Sequence, residues 1–193
     1  MTTHRRNRLL PPLVAFGAAL LVLACEDPFK LTASRSNTTL NFFVWAISGT
    51  PDEYPTALRV PQATLVLADP NGNFDIAFDF NANDSLVVLP VRSVVTPLLG
   101  AHAVTFFRTA ASYEQVIEAP LNGWTSDSAL VVGVGETFLV KVTSTYCQFE
   151  LRRDVYAKFE VESIIPSERR ARLRGKVDPN CGFRSLQDGI PEY

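Results

Sequence analysis

The chain has 193 residues, 47% of them hydrophobic and 20% charged, with a formal net charge of −2. That is the make-up of a globular protein with room for one domain or a tight pair, and it excludes disorder over most of the length. Loss of Arg5, Arg6 and Arg8 with an N-terminal export signal would take the net charge from −2 to −5, a balance that argues against nucleic acid as a partner.

Residues 1–24 have the layout of a secretory signal: His4, Arg5, Arg6 and Arg8 form a basic start, and an uncharged, mostly apolar run follows from 9 to 24. That run is shorter than the ~20 apolar residues of a permanent membrane span and carries Pro11 and Pro12 near its start. It ends Leu21-Val22-Leu23-Ala24-Cys25 and is followed by Glu26 and Asp27.

This ending resembles the lipobox of bacterial lipoproteins: an aliphatic residue three before the cut, a small residue just before it, then cysteine. The resemblance covers the first 25 residues. It implies that the Cys25 thiol receives a diacylglyceryl group, that the signal is cut in front of it, and that in Gram-negative cells the new amino group is acylated too. Leu23 stands where the family more often has a small residue, and Val22-Leu23-Ala24 also suits ordinary cleavage after Ala24, which would leave Cys25 a free thiol. With two or three acyl chains, each buried methylene contributing about 0.8 kcal/mol, the anchor would be effectively permanent. The address expected is the cell envelope, at the outer membrane, on its periplasmic or its surface face. Glu26 and Asp27 fall where such lipoproteins carry sorting residues.

With Cys25 acylated, Cys147 and Cys181 remain as an even pair in an oxidising compartment, and a disulfide between them is expected. It would stabilise the fold by roughly 4 kcal/mol on the chain-entropy model; two buried reduced cysteines are the alternative. Residues 25–37, rich in Ser, Thr, Asp and Asn, read as the lipidated cysteine and a flexible tether reaching at most about 40 Å.

From 38 to 193 the sequence reads as a single all-β domain. Short β-rich runs are separated by Pro, Gly, Asn and Asp near 39–48, 60–68, 73–80, 85–92, 102–109, 113–118, 128–133, 137–145, 155–164 and 170–178. The most helix-like stretch, 112–119, has Tyr113, Val116 and Ile117 at helical spacing but is cut short by Pro120, so one or two turns are expected.

In 73–80, Phe74, Ile76, Phe78 and Phe80 share one parity, and Asn73, Asp75, Ala77 and Asp79 the other, so one face should be core and one wet. The Pro70-Asn71-Gly72 turn suggests a hairpin between 63–69 and this strand. A second hairpin is expected about 166–169. Val155, Ala157, Phe159 and Val161 would share a face with Ala171, Leu173, Gly175 and Val177, while Glu160 and Glu162 would come opposite Arg170, Arg172 or Arg174. The same geometry brings Cys147 towards Cys181.

About ten antiparallel strands suggest a β-sandwich, immunoglobulin-like or related, with a partly closed β-barrel as alternative. The tail from 178 to 193 reads as irregular, pinned at Cys181.

No catalytic, cofactor or metal site is assigned. His102, the one histidine of the mature chain, sits in a strand-like run and reads as structural. Oxygen-bearing side chains alternate through 69–75 but depart from a calcium loop, with Gly72 at the fourth place and Phe80 where a bidentate Glu belongs. Gly133-Val134-Gly135 lacks the third glycine of a dinucleotide loop. The cations Arg170, Arg172, Arg174 and Lys176 read as a solvated ion-pair ladder rather than a lipid or glycan site, and the run 42–47, apolar on both parities, reads as a central strand covered on both faces, the alternative being one face held for a partner.

The function expected is a membrane-anchored envelope lipoprotein serving as a non-catalytic binding, structural or assembly-accessory module. Its partners would be the membrane through the anchor and an envelope protein or glycan. An envelope hydrolase with paired carboxylates and a carrier of an apolar ligand are the alternatives.

Overall fold

The computed structural model describes residues 32–96, 103–126, 128–143, 145–150 and 152–192, all within one compact unit. They form eleven strands: β1 (Thr38–Trp45), β2 (Ala57–Arg59), β3 (Thr64–Val66), β4 (Ile76–Phe80), β5 (Leu86–Pro90), β6 (Ala103–Arg108), β7 (Thr125–Ser126), β8 (Leu130–Val132), β9 (Thr137–Thr143), β10 (Asp154–Ile165) and β11 (Arg170–Asp178). One helical turn, α1 (Val91–Val94), follows β5. Every pair is antiparallel, in a six-stranded sheet ordered β1-β11-β10-β9-β6-β7 and a five-stranded sheet ordered β3-β2-β4-β5-β8. The architecture is an antiparallel β-sandwich, and both sheets have open edges, so it is not a closed barrel.

The β10–β11 hairpin follows directly from alternation. Ala157, Phe159 and Val161 lie opposite Val177, Gly175 and Leu173, all on the core face. Phe159 meets Phe42 edge-on at 6.2 Å and Phe138 at 5.5 Å. Its ring explains Gly175: a Cβ there would lie 2.5 Å from the ring carbon Cδ1, so the strand needs glycine for the close approach. A bulge between Val161 and Ser163 shifts the register by one residue and turns Ile164 towards the core opposite Ala171.

The turn between these strands is a single 3-10 turn, Pro166–Glu168, ended by Arg169 at φ +49°. That left-handed conformation costs a non-glycine residue of order 1–3 kcal/mol. It is offset by the Arg169 guanidinium, which donates to the Ser48 carbonyl at 2.6 Å and Ser48 Oγ at 2.8 Å, and pairs with Asp79 on β4 at 3.0 Å. The tip of the hairpin is thereby tied to the opposite sheet.

Several expectations are corrected. The run 63–69 does not form a hairpin with 73–80, because β2, which alternation did not reveal, lies between β3 and β4 and pairs with both. The Asn71-Gly72 turn exists, with Gly72 at φ +69° and its N–H donating to the Asp69 carbonyl, but it sits in a connection that crosses over β2. Asp75 is not wet: it is buried, and its Oδ2 accepts the Val60 N–H at 2.7 Å.

Residues 113–118 form no strand; the N–H groups of Gln115 and Val116 both donate to the Ser112 carbonyl in one helical turn. The run 42–47 is not central either. β1 is an edge strand whose Phe42 and Val44 enter the core, with Ala46 buried just beyond its end, while Phe43 and Trp45 stay half-buried on the outer face. The turn after Val132 carries the chain from β8 in one sheet to β9 in the other.

Candidate functional site

Three neighbouring strands, β9, β10 and β11, bring the expected cysteines to one end of the six-stranded sheet. Cys147 lies in a 3-10 turn, Thr145–Cys147, just beyond β9, and Cys181 lies three residues beyond β11. They form a disulfide with S–S 1.97 Å and Cα–Cα 5.8 Å. Cys25, the expected lipid attachment site, and His102 lie outside the described residues, as does the whole of 1–24.

The same end receives the N-terminal segment. Asn180 holds it: its Oδ1 accepts the N–H groups of Ser34 and Arg35 at 3.0 Å each, and its Nδ2 donates to the Arg35 carbonyl at 2.8 Å. Asn37 adds two bonds from Nδ2, to the Ser185 and Gln187 carbonyls at 2.8 Å each, and its own N–H donates to Gly189. Residues 34–37 of the expected tether are therefore part of the folded body.

Asn180 is oriented in turn by Asp178, whose Oδ1 accepts the Asn180 backbone N–H at 2.9 Å and Nδ2 at 2.8 Å. The other carboxylate oxygen of Asp178 is buried without a hydrogen bond. Burial pushes the Asp178 pKa from 3.8 up to about 6, against the lowering pull of its bonds from Asn180.

Beside this clamp lies a cavity of about 300 Å³ lined by Thr32, Ser34, Arg35, Tyr146, Glu150 and Asn180, among others. Arg35 stands over the Tyr146 ring, 5.9 Å from its centroid, and donates to its hydroxyl. Phe183 also lines a larger, neighbouring cleft of about 730 Å³ between residues 117–121 and the C-terminal segment. Its carboxylates include Glu118, paired with Arg184, and Asp188, paired with Lys176. The hydrogen bond from Lys176 holds the Asp188 carboxyl below its ordinary range.

The outer face of the six-stranded sheet is the main feature that alternation missed. Its even-numbered residues should be wet, yet Tyr156, Lys158 and Lys176 are buried. Residues 109–124 and the C-terminal segment fold back over β6, β9 and β10, making a second small core of Val116, Ala119, Leu139, Tyr156 and Leu186 with Phe107 and Trp124 against it. Lys158 fastens this cover: Nζ donates to the carbonyls of Tyr113 and Val116 at 2.7 Å each and sits 4.2 Å from the centre of the Tyr113 ring. Burial, and next Lys176 across the register, push the Lys158 pKa down, while burial raises the Tyr113 hydroxyl to about 12. The sequence signal was present in Tyr113, Val116 and Trp124, apolar side chains in a segment without strand periodicity.

The cations of β11 are each matched. Arg170 pairs with Glu168 at 2.6 Å and Arg172 with Glu162 at 2.9 Å. Arg174 pairs with Glu160 and with Glu114, and Lys176 pairs with Asp188. The ladder reading is correct in kind, with Arg174 opposite Glu160 and the bulge residue Glu162 reaching Arg172. In the loop 69–75, Asp69 Oδ1 accepts the Asn71 N–H at 2.7 Å and Asn73 Nδ2 at 3.3 Å, so this carboxylate closes its own turn. Among the described residues no group of three or more His, Cys, Asp or Glu is disposed to hold a metal, and no helix is long and apolar enough to cross a membrane.

Compared with known proteins, the chain matches no family model, no curated protein and no solved structure.

Proposed function

We propose that the chain is an exported lipoprotein, anchored through acylated Cys25 at the outer membrane of a bacterial envelope, whose β-sandwich acts by contact rather than by catalysis. The observation that carries this reading is the pairing of Cys147 with Cys181. Structural disulfides belong to oxidising compartments, and this one leaves Cys25 as the odd cysteine, at the position where the lipobox resemblance needs it.

The larger cleft supports contact rather than glycan hydrolysis. Of its three acids Glu118 and Asp188 are each bound to a cation, leaving Glu192 rather than a facing pair, and Asp188 is held in the direction opposite to that required of a general acid. The carrier alternative receives no support from the two aromatic runs, since Phe42, Val44, Phe74, Ile76 and Phe78 pack into the core rather than around a ligand space.

Metabolic labelling with palmitate tests the reading. Label should enter the wild-type product and be absent from Cys25→Ala, and that variant should leave the membrane pellet for the soluble fraction. An unlabelled wild type, or a Cys25→Ala chain as firmly sedimented as before, overturns it.

A further inference from the structure

We propose that the end of the sandwich bearing the Cys147–Cys181 disulfide is a membrane-contacting surface: Phe149 enters the interfacial layer of an anionic bilayer, with Arg35, Arg152 and Arg153 beside it on the headgroups. The inference rests on the lipid anchor proposed above and adds where the folded body meets the lipid.

Phe149 is 92% exposed, the most exposed large apolar side chain described. A phenylalanine ring left in water is costly, and it is not mounted on a slack loop here. It follows the cystine by two residues, in a turn closed by the Gln148 N–H to the Thr145 carbonyl and the Glu150 N–H to the Cys147 carbonyl, both at 3.1 Å. An exposed ring on a covalently clamped turn is a preorganised contact. The neighbouring cleft carries three more exposed apolar residues, Ile117, Leu121 and Ile190, so four of the eight exposed large apolar side chains described lie at this end.

The sequence ahead of the clamp says what lies nearby. Ser34, the first residue clamped by Asn180, is nine residues from Cys25. Nine residues reach at most about 32 Å when fully extended, which bounds the distance from the clamp to the anchor. Thr32, Ser34 and Arg35 line the same small cavity as Tyr146 and Glu150. The Phe149 turn is thus tethered within that reach of Cys25, where a weak contact gains from effective concentration.

The residue types agree. Arg35, Arg152 and Arg153 accompany Phe149 at this end, with Glu150 and Asp154 as the acids of the same stretch; Asp154 already accepts the Thr143 hydroxyl, and Glu118 and Asp188 of the adjoining cleft are paired, leaving Glu150 and Glu192. Aromatic and arginine side chains together are the usual residues of a membrane interface.

The test uses full-length acylated protein, its lipid verified by intact mass, reconstituted in phosphatidylethanolamine–phosphatidylglycerol vesicles with brominated acyl chains. Phe149→Trp should add emission that is blue-shifted and mostly lost to bromine quenching, above the wild-type background of Trp45 and Trp124. Adding Arg152→Glu and Arg153→Glu should restore that emission, more in phosphatidylglycerol-rich than in neutral vesicles. An acylated protein whose added tryptophan stays red-shifted and unquenched overturns the inference while leaving the anchor standing. Blue-shifted but unquenched emission places the turn against protein and also overturns it. A product without acyl mass overturns both readings.

Discussion

The two faces of β10 solve burial in opposite ways. On the inner face Ala157, Phe159 and Val161 are fully buried by side chains of the same sheet and of the facing one, and the packing is apolar and mutual. On the outer face Tyr156 and Lys158 are buried nearly as deeply, but beneath irregular segments, and the cover is held by a small apolar cluster together with a lysine donating to two backbone carbonyls. The inner face draws on hydrophobic transfer, while the outer face must satisfy the polar groups of the loops it hides.

Truncation on the inner face should break the comparison hardest. Phe159→Ala removes a ring packed against Phe42 and Phe138 and leaves space beside Gly175, and should cost about 3–5 kcal/mol in urea unfolding, with both sheets melting together. A loss below ~1 kcal/mol would mean that the two aromatic layers are not one core.

Asp178 gives the outer face a pH signature. Its folded pKa of about 6 lies above the ordinary 3.8, so the folded state holds the proton more tightly. The cost of the buried charge is fully present above pH ~6 and is relieved as pH falls towards ~4, a gain on the order of 3 kcal/mol. Stability measured from pH 7.5 downward should therefore rise, and Asp178→Asn should flatten that rise. Glu114 and Asp188, whose carboxyls are lowered by bonds from Arg174 and Lys176, act the other way. Their stabilisation is present above their ordinary values of 4.5 and 3.8 and is lost as pH falls through their lower folded values.

Lys158→Met sharpens the contrast by keeping the stem and removing the donor. It strands the Tyr113 and Val116 carbonyls and should cost about 1–3 kcal/mol. Amide exchange should quicken over residues 112–119 while β10 and β11 keep the protection set by global unfolding. Uniform loss of protection would show that the cover belongs to the main cooperative unit. The smallest effect belongs to the exposed ladder: Arg172→Ala, which breaks a half-exposed pair with Glu162, should change the unfolding free energy by no more than about 1 kcal/mol.

The parts of the fold legible in the sequence were those that depend on a single strand or turn. Residues 155–164 and 170–178 alternate cleanly, and their hairpin forms at the expected place, with the cysteines brought to its open end. Strands β5, β6, β8 and β9 also fall where runs of β-rich residues end in Gly, Pro or polar turns. β2 was missed because three residues are too few to carry a period, and its absence from the reading produced the false hairpin across Asn71-Gly72. At the candidate site, the cysteine pair was readable from parity, whereas Asn180 as clamp of residues 34 and 35 was not, because the partners lie about 145 positions apart and neither segment has a period.

By itself the sequence determined the all-β class, the inward parity of the long strands and the pairing of Cys147 with Cys181. All of these follow from local geometry or from counting. Only the tertiary structure decided that β1 is an edge, that β2 separates β3 from β4, and that Lys158, Lys176 and Asp178 lie buried on the supposedly wet face. A two-residue repeat specifies on which side of a sheet each side chain emerges; what comes to cover that side is settled by distant segments, whose packing energy leaves no local period in the chain.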